Sequence, residues 1–239
     1  PEDYGIVAIV TVFITILQVF VDSGLANALI QKKEADDLDF SSVFWFNIVW
    51  SLVLYGLLYL AAPAIAAFYE NPQITPVLRV LGLQVIIASV KNVELAYVSR
   101  TMQFKRFFFA TLGGTLGAAV VGIWMAVQGY GVWALVAQHL FNTLVDTIIL
   151  FATVHWRPKR MFSFARLKGL LSFGWKLLAA ALLDTLYTDL RQLIIGKVYT
   201  EADLAYYNRG EQYPQLIIAN INSSIDSVLL PAMSREQDD

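Results

Sequence analysis

The chain has 239 residues, 57% of them hydrophobic and 15% charged, with a formal net charge of −2 and no cysteine. Soluble domains average roughly 45–50% apolar and 25% charged residues, so this balance excludes an ordinary water-soluble fold. Without cysteine there are no disulfides, thiolate metal sites or cysteine nucleophiles.

Seven apolar stretches predict membrane-spanning helices, at 5–30, 40–68, 77–98, 107–127, 131–154, 170–196 and 204–232. Each reaches the roughly 20 residues a helix needs to cross a bilayer core. An unusually apolar soluble helical protein is the alternative, and the 26 charge-free residues from Val43 to Phe68 argue against it. The chain enters its first span within five residues of Pro1, and the orientation below expects at least one further span upstream.

The first span carries Asp22 about two thirds of the way in. Lys32 and Lys33 follow it. Asn71-Pro72-Gln73-Ile74-Thr75-Pro76 breaks the hairpin between the second and third spans. In the third, Arg79 lies within a turn of one end, and Lys91 and Glu94 stand at i,i+3, the spacing of a local ion pair. Arg100, Lys105 and Arg106 come next. Gly113, Gly114, Gly117, Ala118 and Gly122 give the fourth span a small-residue face suited to close helix packing. Gln128-Gly129-Tyr130-Gly131 makes a tight turn into the fifth.

Residues 155–169 are basic, with Phe162, Phe164 and Leu167 interleaved among the charges. This pattern predicts an interfacial amphipathic helix joining two bundles, or a simple anchor on anionic lipid. In the sixth span Asp184 and Arg191 are seven apart and share a face, with Lys176 and Asp189 off it. Charge inside a membrane is costly, so Asp184 points either to a polar route or to a structural interhelical pair. Asn220, Asn222, Ser223, Ser224 and Asp226 make the seventh span amphipathic, as a cavity-lining helix would be.

The basic residues set an orientation. Gaps after the first, third, fifth and seventh spans hold 11 of the 17 Lys and Arg, whereas the opposite gaps hold only Lys197 and Arg209. The positive-inside rule then makes 31–39, 99–106 and 155–169 cytoplasmic, with 233–239 on the same side. Tyr and Trp near span ends, such as Tyr69, Tyr130 and Trp156, suit the interface with membrane lipids. His139 and His155 make no HExxH arrangement, and no Walker A loop or GxSxG elbow is present, so neither an enzyme nor a cofactor is expected. At an offset of 200 residues Asp3 meets Asp203, Ser23 meets Ser223 and Leu29 meets Leu229, a faint same-direction repeat of the kind found in secondary transporters.

Several segments together resemble a known family. They are Pro1-Glu2-Asp3-Tyr4-Gly5, Val21-Asp22-Ser23-Gly24, Leu78-Arg79-Val80-Leu81, Gly131-Val132-Trp133-Ala134, Ser172-Phe173-Gly174-Trp175-Lys176, Tyr206-Tyr207-Asn208-Arg209-Gly210 and Leu230-Pro231-Ala232-Met233-Ser234. In order and spacing the chain resembles the Wzx-type polysaccharide flippases of the multidrug/oligosaccharidyl-lipid/polysaccharide exporter superfamily, in the colanic-acid-like branch. The resemblance implies an all-α, two-lobe bundle: 1–154 from the first lobe lacking its first helix, 155–169 as linker, and 170–239 opening the second lobe. It implies a lipid-linked oligosaccharide as cargo in a bacterial inner membrane, polysaccharide polymerase or assembly proteins as partners, and no nucleic acid. Arg79, Lys91 and Arg191 would then supply positive potential for a diphosphate headgroup. Rival readings are a cation-coupled multidrug exporter of the same superfamily and a membrane polysaccharide polymerase or ligase.

Overall fold

Apolar runs with almost no charge leave the backbone one economical solution in hydrocarbon, the internally hydrogen-bonded helix. The structure, a computed structural model, describes residues 2–22, 24–102, 104–211, 214 and 218. Helices α1 (Glu2–Asp22), α2 (Leu25–Gln31), α3 (Asp37–Phe68), α4 (Ile74–Leu81), α5 (Leu83–Arg100), α6 (Phe104–Val127), α7 (Val132–Thr153) and α8 (Phe164–Val198) follow in order. A further helical segment covers 201–211, and there is no strand among the described residues.

Six runs are long and apolar enough to cross a membrane: Glu2–Gln31, Asp37–Phe68, Ile74–Arg100, Phe108–Val127, Val132–Thr153 and Phe164–Val198. They match the first six predicted spans. The seventh, 204–232, lies largely outside the described residues, and its first part, 204–211, is helical.

Two spans are broken where glycine sits. Between α1 and α2, Gly24 has φ +65°, a left-handed conformation that glycine adopts at little cost. A Cβ there would also lie 2.5 Å from the Gly174 carbonyl, so this is where α8 crosses the first span. Between α4 and α5, a Cβ on Gly82 would lie 2.8 Å from a Leu58 methyl, so the bend nests against α3.

Two apolar cores hold the bundle, one toward each end. Ile9, Val10, Leu58, Ile74, Leu78 and Val85 belong to one. Leu29, Phe40, Phe44, Val93, Leu150, Trp156 and Leu167 belong to the other, at the end where Lys32, Arg100 and Arg157 lie. The outer faces of α3 and α6 stay apolar and uncovered, with Leu60 77% and Val127 80% exposed, as a surface solvated by lipid chains would be. The small-residue face of α6 packs on α7: Cβ atoms on Gly113, Gly117 and Gly122 would meet Ile149, Phe141 and Gln138 at 2.8, 2.7 and 3.0 Å.

The basic segment forms no helix of its own. Residues 154–163 are non-helical, and α8 starts at Phe164 and runs on as the span. The reason lies in α3, whose first turn carries Asp36, Asp37 and Asp39. Asp37 receives Lys159 and the Trp156 indole N–H, the latter at 3.1 Å. The Ser41 and Ser42 hydroxyls accept the backbone N–H groups of Lys159 and Ser163 at 3.1 and 2.9 Å. Two of the segment's backbone N–H groups and two of its side chains are thus held by α3 in place of helical bonds.

Candidate functional site

Helix α1 bears a stripe at alternating steps of four and three: Tyr4, Ala8, Thr11, Thr15, Gln18 and Asp22. Such steps keep residues on one helical face. The stripe lines two cavities in succession. The first, about 510 Å³, is lined by Thr15, Gln18 and Asp22 of α1, Asn27 of α2, Gln84, Lys91, Asn92 and Ser99 of α5, and Thr143 of α7. The second, about 500 Å³, lies toward the opposite end. Tyr4, Ala8 and Thr11 line it with Gln138 and His139 of α7, Thr188, Asp189 and Gln192 of α8, and Asn208, Arg209 and Glu211. Together the two cavities place amides, hydroxyls and ionisable groups along most of the length of an otherwise apolar bundle.

The electrostatic centre of the first cavity is an ion pair. Lys91 Nζ lies 3.4 Å from Asp146 Oδ2 on α7. Asp146 is 7% exposed, and its other oxygen and Asn142 Oδ1 are buried without a hydrogen-bond partner. Gly114 of α6 makes room for them, since a Cβ there would lie 2.0 Å from Asp146 Oδ1 and 2.7 Å from Asn142 Oδ1. The local pair expected between Lys91 and Glu94 is therefore not formed. Glu94 is fully buried beside the basic-end core, neither oxygen accepts a hydrogen bond, and the charge acting on it is Arg157.

The other sequence candidates scatter. Asp22 lines the first cavity. Arg79 lines neither of these cavities; its guanidinium stacks 4.0 Å above the Tyr59 ring and its Nε donates to the Tyr59 carbonyl at 3.3 Å, toward the lipid-facing side of α3. Asp184 and Arg191 share an exposed face of α8, where Arg191 approaches the Tyr187 ring at 5.7 Å and interacts with Tyr207. Asp184 stands one turn from Thr188 on the same face, while Asp189, expected off that face, lines the second cavity. Asn222 and Asp226 lie outside the described residues. Arg79, Lys91 and Arg191 thus do not converge on one anion site.

Sequence reasoning passed over Asp146, Asn142, Gln18, Gln84 and Asn92. Steps of three and four between polar residues find Gln18 in the first span, Asn92 in the third, and Asn142 and Asp146 in the fifth, whereas Gln84, five residues from Arg79 and from Ser89, carries no such signal. Among the described residues no three His, Asp or Glu side chains cluster to hold a metal.

Comparison with known proteins bears on what such a bundle does. The polysaccharide biosynthesis protein family matches the chain over residues 1–239. The chain belongs to that family. It is 23% identical to the succinoglycan biosynthesis transport protein ExoT of Rhizobium meliloti, over all of this chain and 48% of that protein. It is 24% identical to the lipopolysaccharide biosynthesis protein WzxC of Escherichia coli, over all of this chain and 49% of that protein. The teichuronic acid biosynthesis protein TuaB of Bacillus subtilis is 26% identical over 92% of this chain and 46% of its own length. The chain therefore spans about half the length of these relatives. No solved structure matches it.

Proposed function

We propose that the chain forms the first lobe and the start of the second in a transporter that moves polyprenyl-pyrophosphate-linked oligosaccharide units across a bacterial inner membrane. The observation carrying this is the stripe Thr11, Thr15, Gln18 and Asp22, which brings two polar cavities into line inside a family member otherwise built from apolar helices. A polar cargo attached to a lipid needs a hydrophilic path beside hydrocarbon, and a cleft between two lobes that opens to each side in turn provides one. The loops carrying Lys32, Arg100 and Arg157 face the cytoplasm on this reading, where the cargo is assembled. The protein then acts as a carrier and performs no chemistry on the sugar, and a polymerase or assembly protein takes the cargo on the far side.

Complementation tests it. In cells lacking the full-length protein, lipid-linked repeat units should accumulate on the cytoplasmic leaflet and surface polysaccharide should disappear. The wild-type gene should reverse both, and Gln18→Leu combined with Thr15→Val should not, at normal membrane abundance. Unchanged polysaccharide in the deletion strain would sink the reading.

A further inference from the structure

The first cavity has a chemical bias of its own. Gln18, Asn27, Gln84 and Asn92 line it, and among the described residues none of these four amides hydrogen-bonds to another protein group. Each amide offers two donors and an acceptor, so their unmet capacity is mixed in kind. All four are exposed or half-buried at the cavity wall, so their donors and acceptors are open to a partner from outside the protein. Asp22, at the same wall, adds a carboxylate able to accept from two neighbouring hydroxyls.

Charge narrows the choice. Among the described residues Lys91 is the one cation lining this cavity, and Asp146 at 3.4 Å offsets it. With Asp22 included, these three groups carry a formal negative charge. Such a cavity offers a diphosphate no uncompensated cation among the described residues and accommodates neutral hydroxyl-bearing rings. Its volume of about 510 Å³ falls within the roughly 300–1,000 Å³ of small-molecule sites.

We propose that this cavity is a glycan subsite, which takes the uncharged sugars of the lipid-linked cargo and excludes its diphosphate. The proposal rests on the transporter reading above. It divides the cargo physically: sugars enter the first lobe between α1, α5 and α7, and the headgroup binds elsewhere.

The test uses full-length protein in lipid nanodiscs, freed of any other cysteine and carrying Ala26→Cys, a half-buried position in the cavity wall that supplies none of the four amides. Three probes are compared for protection against maleimide labelling. They are the repeat-unit glycan released by mild acid from the source cells, the intact lipid-linked intermediate, and inorganic pyrophosphate. Glycan and intact intermediate should each slow labelling roughly tenfold, pyrophosphate should not, and a control Gln73→Cys should be unaffected by all three. Adding Asp22→Asn should raise the glycan concentration needed by roughly tenfold, through loss of charge-assisted hydrogen bonds.

Protection by pyrophosphate, or none by glycan, overturns the proposal. Protection by free glycan but not by the intact intermediate also overturns it, because the cavity would then be a soluble-sugar site. Cellular export of polysaccharide is scored separately. Normal export with no protection defeats the subsite alone, and protection with no role in export defeats the transporter reading alone.

Discussion

Gly114 is the position where one added methyl group would most disturb the polar interior. Its Cβ would fall 2.0 Å from Asp146 Oδ1, on a carboxylate already engaged by Lys91. Overpacking of this kind costs about 1–3 kcal/mol. Gly114→Ala should therefore lower the thermal stability of the detergent-solubilised protein. Gly56→Ala, where a Cβ meets nothing within 4 Å, should leave it unchanged or raise it by up to about 1 kcal/mol. Equal melting of the two variants would mean that α6 and α7 lie further apart than this. A second prediction concerns the ion pair. Lys91→Met leaves Asp146 charged, buried and unpaired, a loss of roughly 3–5 kcal/mol that should show as low membrane abundance. Adding Asp146→Leu should restore abundance, since a buried pair replaced by apolar groups is close to neutral. If the double variant is no better than the single, Lys91 serves something other than Asp146. The sequence offered Glu94 as partner because it is one turn away, whereas the real partner is 55 residues distant. Partner choice here follows from how α5 and α7 pack, which spacing along one helix does not encode.

At the scale of the element, the link between α7 and α8 is fixed by the acidic first turn of α3. Asp39, with no exposed side chain, receives Lys32, Arg166 at 3.3 Å and the Asp36 backbone N–H at 3.2 Å. Asp39→Ala removes all three, takes from Lys32 its ion-pair partner and leaves Arg166 with Asp36 alone. Residues 155–163 should then become open to limited proteolysis on the side that carries them, while wild type resists; equal resistance would show that Asp37, Ser41 and Ser42 hold the segment without Asp39. The cap is also pH-dependent. The Asp39 backbone N–H, donating to Asp36 at 3.0 Å, holds the Asp36 carboxyl below the usual carboxylate range, with Arg166 and Lys32 assisting. A lowered folded value contributes stability above the unfolded value of about 3.9 and loses it as pH falls through the folded value. Hydrogen exchange in the first turn of α3 should therefore stay slow at neutral pH and accelerate only below about pH 4. The helix boundaries of α3 and α7 were legible from composition. The extended linker was not, because amphipathic spacing in 155–169 looks the same whether the charges meet lipid or the Asp residues of α3.

For the whole molecule, six spans and their order could be read directly, since twenty-odd apolar residues admit few other structures. The repeat has one described trace: Asp3 sits in the first turn of α1, and Asp203 in the first turn of the segment at 201–211, where it accepts from the Thr200 backbone N–H and hydroxyl at 3.2 and 2.6 Å. Thr200 holds the Asp203 carboxyl below its ordinary range. Helix α8 is tied to the first five helices at both ends, through Arg166 to Asp36 and Asp39 and through Lys197 to Glu70 at 3.0 Å. An orientation test must avoid those ties. Ser163 is unsuitable as a probe, because its hydroxyl caps α8 and its N–H donates to Ser42. Phe162, 51% exposed and beside the basic end, and Gln73, exposed at the start of α4, hold nothing through their side chains, and the Gln73 N–H that donates to Asn71 Oδ1 at 2.9 Å is kept in a Cys variant. In intact cells an impermeant maleimide should label Gln73→Cys, and Phe162→Cys only after permeabilisation. The argument is electrostatic: ten of the 17 basic residues lie between positions 32 and 168 in the gaps that share Phe162's side, and positive loops are retained in the cytoplasm. Labelling in the reverse order would invert the proposed orientation. The cavity lined by Asp22 and Lys91 would then face the outside, and the cargo of the proposed function would meet the cavity of Asp189 and Arg209 first.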